Sequence, residues 1–350
     1  MKKTAIAVLF GGRSSEYSVS LQSAQAVLSN LDHPRYEVIP IGITREGTWF
    51  HYTGPYEALS QDTWHRAPEH LTPAVVSPNP SDHGLLIFRD DRTSVIPLDC
   101  AFPVLHGKNG EDGTVQGVFQ LAGIPVAGCG VLSSALCMDK DRAHKLASLA
   151  GVAVPQSMVL SPKDDPRRAQ IFAQGTGYPL FVKPVKAGSS HGITRVQQED
   201  ELTQAIQLAF QHDDQVIIEE SIDGFEVGCA VMGTNPLFVG EIDEIELAQG
   251  FFDFTEKYNL VTSAIHVPAR VRPEVADRVK ETSKVIYQAL GCSGFARVDC
   301  FVTPDERIVF NEVNTIPGFT EHSRFPGMMQ AAGLSFPDIL DAILKEAMAR

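Results

Sequence analysis

The chain has 350 residues, 43% hydrophobic and 21% charged, an ordinary globular composition with room for two or three domains. Its formal charge of −14 argues against unspecific binding to nucleic acid or to anionic membranes. No stretch reaches the roughly 18 apolar residues of a membrane helix. The basic flank and short apolar run at Met1–Phe10 lack a small-residue cleavage site and do not read as a secretory leader. Cys100, Cys129, Cys137, Cys229, Cys292 and Cys300 form no CxxC and read as buried free thiols, which favours a reducing cytoplasm.

Strand-like runs alternate with helical ones along the chain, which indicates an α/β fold. Thr4–Phe10 is a β-rich run closed by Gly11-Gly12, and Leu21, Ala24, Leu28 and Leu31 recur at helical spacing behind it. Val38–Ile43 is the next strand. From Tyr52 to Asp82 the chain is rich in Pro, Ser and His and reads as a surface excursion. Asp99–Leu105 is a strand, followed by a loop with Gly107, Gly110 and Gly113, a helix through Val118, Leu121 and Ala122, and a short strand at Pro125–Ala127. Ser133–Ala150 reads as one helix, Leu180–Pro184 as a strand ending near Lys183, Gly188–Gly192 as a loop, and Gln215–Glu219 as a strand. Pro273 suits a helix's first turn, with Val275, Val279, Ile286 and Leu290 on one face and Gly291 at its end. Two strands then flank the turn Thr303–Glu306, and a final helix runs from Phe336 to Met348. This divides the chain into 1–132, 133–222 and 223–350.

The densest chemistry lies in the hairpin near the C-terminus. Alternation puts Arg297, Asp299 and Phe301 on one face and Glu312 and Asn314 together on the returning strand, with Asp299 opposite Glu312 for a turn of about four residues. Two carboxylates and an amide form a hard, oxygen-only set that suits Mg²⁺ rather than zinc. The same pattern also fits the polar outer face of an amphipathic hairpin. Lys183 with the loop Gly188-Ser189-Ser190-His191-Gly192 could cradle phosphate or be a plain turn; it is no Walker A loop. Glu16, where Gly11-Gly12 leads into a helix, could cap that helix or hold an ammonium group.

Taken together these blocks resemble the D-alanine–D-alanine ligase family, which carries the ATP-grasp fold. They are Gly11-Gly12 through Glu16, His106-Gly107 with Gly110-Glu111-Asp112-Gly113, Met138-Asp139-Lys140, Lys183-Pro184 with Gly188-Ser189-Ser190, and Asn311-Glu312-Val313-Asn314-Thr315 with Pro317-Gly318. The resemblance implies three α/β domains with ATP between the second and third, and ligation of D-alanine to a second D-amino acid through an acyl phosphate. By resemblance, Lys145, Lys183, Ser190 and Lys257 hold ATP, and Glu219 and Glu226 contact its adenine and ribose. Asp299, Glu312 and Asn314 match the ligands of two Mg²⁺ ions, which Mn²⁺ could replace. Arg297 and the Gly318 amide match the groups that stabilise the oxyanion, where fixed positive charge meets developing negative charge. Glu16 matches the residue holding the first substrate's ammonium, in a triad with Ser189 and Tyr258. The loop 251–258 matches a lid that excludes water. Family members are commonly cytoplasmic homodimers.

Three departures narrow the resemblance. Tyr17 stands where ordinary ligases have His, Phe252 where they have Tyr, and Arg324 where they have an apolar residue. These features resemble the vancomycin-resistance D-alanine–D-serine ligases of the VanC, VanE and VanG type. The resemblance implies a second-substrate pocket of His106, Asp243, Phe252, Ser323 and Arg324, with Asp243 and Arg324 answering the hydroxyl of D-serine. An ordinary ligase using D-alanine twice is the alternative.

Overall fold

The run Thr4-Ala5-Ile6-Ala7-Val8-Leu9-Phe10 is apolar on both faces, as a strand covered on both sides must be. In the computed structural model it forms β1 (Thr4–Gly11), next to the edge strand of a seven-stranded sheet. The residues described are 3–31, 34–90, 92–188, 191–247, 263–320 and 322–350. β1 lies parallel to β2 (Tyr36–Ile43) and β7 (Cys100–Pro103). Beyond β2 an antiparallel meander continues through β3 (Trp49–Tyr52), β4 (Leu71–Val76), β5 (Gly84–Arg89) and β6 (Arg92–Pro97). The segment expected as an excursion thus contributes β4 and a short helix, α2 (Glu57–Ser60). α1 (Tyr17–Asn30) and α3 (Thr114–Leu121) flank the sheet, and the expected strand at 125–127 is a single bridge from Val126 to Ala101.

The stretch 133–150 is two helices, not one. α4 (Val131–Met138) and α5 (Lys140–Leu149) are separated by Asp139 in an extended conformation (ψ 99°), whose carboxylate accepts the Arg142 N–H at 3.0 Å. Aspartate is a strong helix N-cap because that acceptor satisfies a backbone donor the helix leaves open.

A second sheet, in the order β10-β9-β11-β8, consists of β8 (Ser157–Leu160), β9 (Leu180–Pro184), β10 (Thr194–Val196) and β11 (Val216–Glu220). Helices α6 (Arg167–Thr176) and α7 (Glu199–Ala209) close a core of its own through Ala169, Ala173, Leu202 and Ala205.

The third sheet is ordered β14-β13-β12-β15-β16, from β12 (Phe225–Gly233), β13 (Leu237–Leu247), β14 (Ser263–His266), β15 (Phe295–Val302) and β16 (Ile308–Asn314). α8 (Pro273–Ala289) buries the expected stripe Val275, Val279 and Ile286 against Val227, Cys229 and Val298. α9 (Arg324–Ala331) and α10 (Phe336–Ala349) pack elsewhere: Phe325, Met328, Phe336, Ile339 and Ile343 share one core with Ile6, Val8, Phe10 and Phe102 of the first sheet. The Tyr36 hydroxyl donates to Asp341 across this junction at 2.6 Å. All six cysteines are buried and unbridged. Among the described residues no helix is long and apolar enough to cross a membrane.

Candidate active site

The β15–β16 register sets Asp299 opposite Glu312 and Arg297 opposite Asn314, with a bulge directly after Asp299. Alternation then aims all four side chains to one face. Asp299 is 1% exposed. Arg297 donates Nε to its Oδ1 at 2.8 Å and Nη2 to its Oδ2 at 2.7 Å, and Asn314 Nδ2 donates to Oδ2 at 2.9 Å. Arg324 Nη2 lies 3.4 Å from Oδ1. Two carboxylates and an amide oxygen suit a hard divalent cation, and Arg297 and Arg324 supply balancing positive charge.

This face divides two cavities. The smaller, about 220 Å³, is lined by Glu16, His106, Glu111, Gly188, Arg297, the run Glu312–Gly318, Ser323 and Arg324, among others. The larger, about 690 Å³, is lined by Lys183, Glu219, Glu226, Phe181, Phe301 and the strap 220–225, among others. Lys140 and Glu312 line both. Lys140, within the Met138-Asp139-Lys140 block, has no role in the reading from sequence. It is 7% exposed, donates to the Ala187 carbonyl at 2.7 Å and lies 3.9 Å from Glu312. The Lys145 side chain is 70% exposed, pairs with Asp141 at 2.7 Å, and lines neither cavity. The break at Asp139 restarts the helix so that Lys140, not Lys145, faces the site.

In the larger cavity Lys183 pairs with the buried Glu219 at 2.6 Å. Burial pushes the Glu219 carboxyl up, but the Lys183 ammonium and the neighbouring His144 outweigh it and hold it below the usual carboxylate range. Glu219 Oε1 is buried without a hydrogen-bond partner and lies 3.6 Å from His144 Nδ1. Glu226 accepts from Arg324 Nη1 at 3.0 Å, so Arg324 spans the wall between the cavities.

Two expected substrate-pocket residues are engaged by other protein groups. Asp243 is fully buried and lines neither cavity. It accepts from the Gly228 N–H at 2.7 Å and from Arg324 Nε and Nη2 at 2.7 and 2.8 Å. Burial pushes its carboxyl up, and the Arg324 guanidinium more than reverses this. Asp243 therefore orients Arg324. His106 lines the smaller cavity, but both ring nitrogens are engaged, Nδ1 with the Ile316 carbonyl at 2.8 Å and Nε2 with Ser23 Oγ at 3.0 Å. A carbonyl only accepts, so Nδ1 carries the proton and Nε2 accepts from Ser23. Burial drives the ring towards this neutral form.

Glu111, also without a role from sequence, completes that latch. Its Oε1 accepts the Ile316 N–H at 3.0 Å and its Oε2 the Gly107 N–H at 2.8 Å. Ser23 Oγ accepts the Phe319 N–H at 3.2 Å. The residues on both sides of Pro317-Gly318 are thus pinned, which fixes Gly318 at the cavity wall. Glu16 is 6% exposed beside Gly107. Gly107 has φ +72°, which favours glycine, and a Cβ there would lie 2.2 Å from Glu16 Oε2 and displace that carboxylate. Ser323 Oγ accepts the Thr320 N–H at 2.9 Å at the mouth of α9. Ser189, Ser190, Phe252, Lys257 and Tyr258 lie outside the described residues.

Comparison with known proteins agrees along the whole chain. Residues 5–129 match the model of the D-ala D-ala ligase N-terminus and residues 146–345 that of the C-terminus. The crystal structure of the VanG D-Ala:D-Ser ligase from Enterococcus faecalis is 56% identical, with a TM-score of 0.92 over 99% of this chain and 100% of that one. The Vancomycin B-type resistance protein VanB of Enterococcus faecalis is 42% identical over the full length of both chains. A D-alanine–D-alanine ligase of Caldicellulosiruptor bescii is 41% identical over 100% of this chain and 96% of its own. With two cavities meeting at a carboxylate-lined hairpin and likeness of this extent, the chain belongs to the D-alanine–D-alanine ligase family.

Proposed function

We propose that the protein is a D-alanine–D-serine ligase that makes a peptidoglycan precursor of the vancomycin-resistance type in the cytoplasm. The carrying observation is Arg324, a cation in the wall of the smaller cavity beside Ser323, held in place by Asp243 and Glu226. The likeness to a structure named for D-Ala:D-Ser ligation supports it. In this reading the larger cavity takes ATP, with Lys140 and Lys183 at its phosphates and Glu219 and Glu226 at its adenine and ribose. Asp299, Glu312 and Asn314 hold two Mg²⁺ ions, which supply charge neutralisation to the transferring phosphoryl group. Glu16 holds the ammonium of the first D-alanine. Arg297 and the pinned Gly318 amide face the oxyanion that forms when the second amine attacks the activated carboxyl. Ser323 takes the second substrate's carboxylate. Arg324 has five N–H donors, and its remaining Nη1 donor is the one available to the hydroxyl.

The test is a competition assay offering D-alanine, D-serine and D-lactate at equal concentration with ATP and Mg²⁺, with products separated by mass. D-alanyl-D-serine is expected to dominate. A charged hydrogen bond contributes about 1.5–3 kcal/mol, so Arg324→Leu should lower the D-serine kcat/KM roughly ten- to a hundredfold relative to D-alanine. D-alanyl-D-alanine as the main product of the unaltered protein would overturn the reading in favour of an ordinary ligase.

A further inference from the structure

Three of the six cysteines converge beneath the smaller cavity. Cys137, at the end of α4, lines that cavity. Its Sγ lies 3.6 Å from Sγ of Cys292, in the turn between α8 and β15. Cys129 directs its own Sγ at the carbonyls of Ser293 (3.4 Å) and Phe295 (3.7 Å) and also interacts with Cys292, so Cys292 stands between the other two thiols, of which Cys137 is the one that lines the cavity. We propose that Cys137 and Cys292 form an oxidative modification site, which a peroxide converts to a disulfide that disables the adjoining cavity.

Cys137 and Cys292 are 5% and 7% exposed, and of the two Cys137 lines the smaller cavity, the route by which a small oxidant enters. The Cys137 sulfur attacks one peroxide oxygen, the O–O bond breaks, and water leaves, giving the sulfenic acid. The Cys292 sulfur then attacks the Cys137 sulfur and expels hydroxide, which departs as water with the Cys292 proton. Two thiols and one hydrogen peroxide become one disulfide and two waters. A disulfide requires about 2.05 Å between sulfurs, so they must close by about 1.5 Å.

The movement falls on the Cys137 side. A Cβ on Gly294 would lie 2.6 Å from the Gly128 Cα, so the backbone two residues beyond Cys292 is packed closely against its neighbour. The end of α4 runs directly into Asp139 and Lys140. A displacement of that size there breaks the hydrogen bond from Lys140 to Ala187 and withdraws the cation that both cavities share. Oxidation is slow at neutral pH and quickens as pH rises. The Cys292 contact pulls the Cys137 thiol down, but burial together with the neighbouring Cys129 and Glu111 outweighs it and leaves it raised. Only the thiolate is a good nucleophile.

The experiment treats the full-length protein with hydrogen peroxide at pH 7 and pH 9, alkylates the remaining thiols and maps peptides by mass. A Cys137–Cys292 cross-linked peptide is expected, forming faster at pH 9. ADP release should fall at least tenfold in step with it and return with dithiothreitol. Cys292→Ser should keep its basal activity and lose the reversible inactivation. Absence of the cross-link would overturn the proposal, as would a cross-linked protein of full activity or unchanged reversible inactivation of Cys292→Ser. The cross-link does not depend on which second substrate is used, so its failure is separable from failure of the D-serine reading.

Discussion

Replacing Arg324 by methionine leaves a comparable volume but strips Asp243 of the guanidinium that gives it two hydrogen bonds, at 2.7 and 2.8 Å. Asp243 is 0% exposed, so the orphaned carboxylate cannot turn to water. Breaking a buried pair from one side costs about 3–5 kcal/mol, a third or more of the stability of many proteins. Asp243→Asn in the same chain removes the stranded charge, and the amide oxygen it leaves can still accept the Gly228 N–H. The double variant should therefore recover about 2 kcal/mol or more over the sum of the single variants. Urea unfolding of the four proteins measures this coupling. A cost below about 1 kcal/mol for Arg324→Met, or a coupling within about 0.5 kcal/mol of zero, would refute the view that Asp243 exists to orient Arg324.

Lys140→Met should lower kcat by tenfold or more in an ADP-release assay, while Lys145→Met, whose exposed pair with Asp141 contributes about 0–1 kcal/mol, should change it less than twofold. Glu312→Gln should remove most activity, since a neutral amide balances less metal charge; near-normal turnover would remove Glu312 from the metal set. Burial and the nearby Glu16 charge push the Glu111 carboxyl from its ordinary 4.5 up to about 8. The folded protein then keeps a proton that the unfolded chain releases between those values, so this group's contribution to stability falls as pH rises through that window, by at most about 1.4 kcal/mol per pH unit. Glu111→Gln should flatten that slope in urea midpoints from pH 5 to 8, and an unchanged slope would count against the shift.

The hairpin was legible because a strand has a period of two: once Asp299 and Glu312 are placed on flanking strands with a short turn, their facing follows. The helix around Lys145 was not, because its phase depends on where it starts. Lys140 and Lys145 are five residues apart, roughly 140° around a helix, so only one can face the site. The break at Asp139 decides which. His106 shows a different limit. Its residue type fits a ligand contact equally well, and only the positions of Ile316 and Ser23, far away in sequence, reveal that both nitrogens are taken. The meander β4–β6 escaped for a third reason: its strands are half exposed, and Val75, Phe88 and Val95 face solvent, which blurs the alternation. The burial of Asp243 depends likewise on sheet order, which no local pattern carries.

The shared core between the first sheet and α9–α10 bears on the order in which the protein can assemble. Ile6, Val8, Phe10 and Phe102 are covered by Phe336, Ile339 and Ile343, which emerge from the ribosome more than two hundred residues later. Until then α1 covers only part of that face, and exposed apolar sheet is what aggregation and chaperones act on. The second sheet carries its whole core within residues 158–218 and is free of this delay. During synthesis the middle of the chain can therefore mature before its beginning.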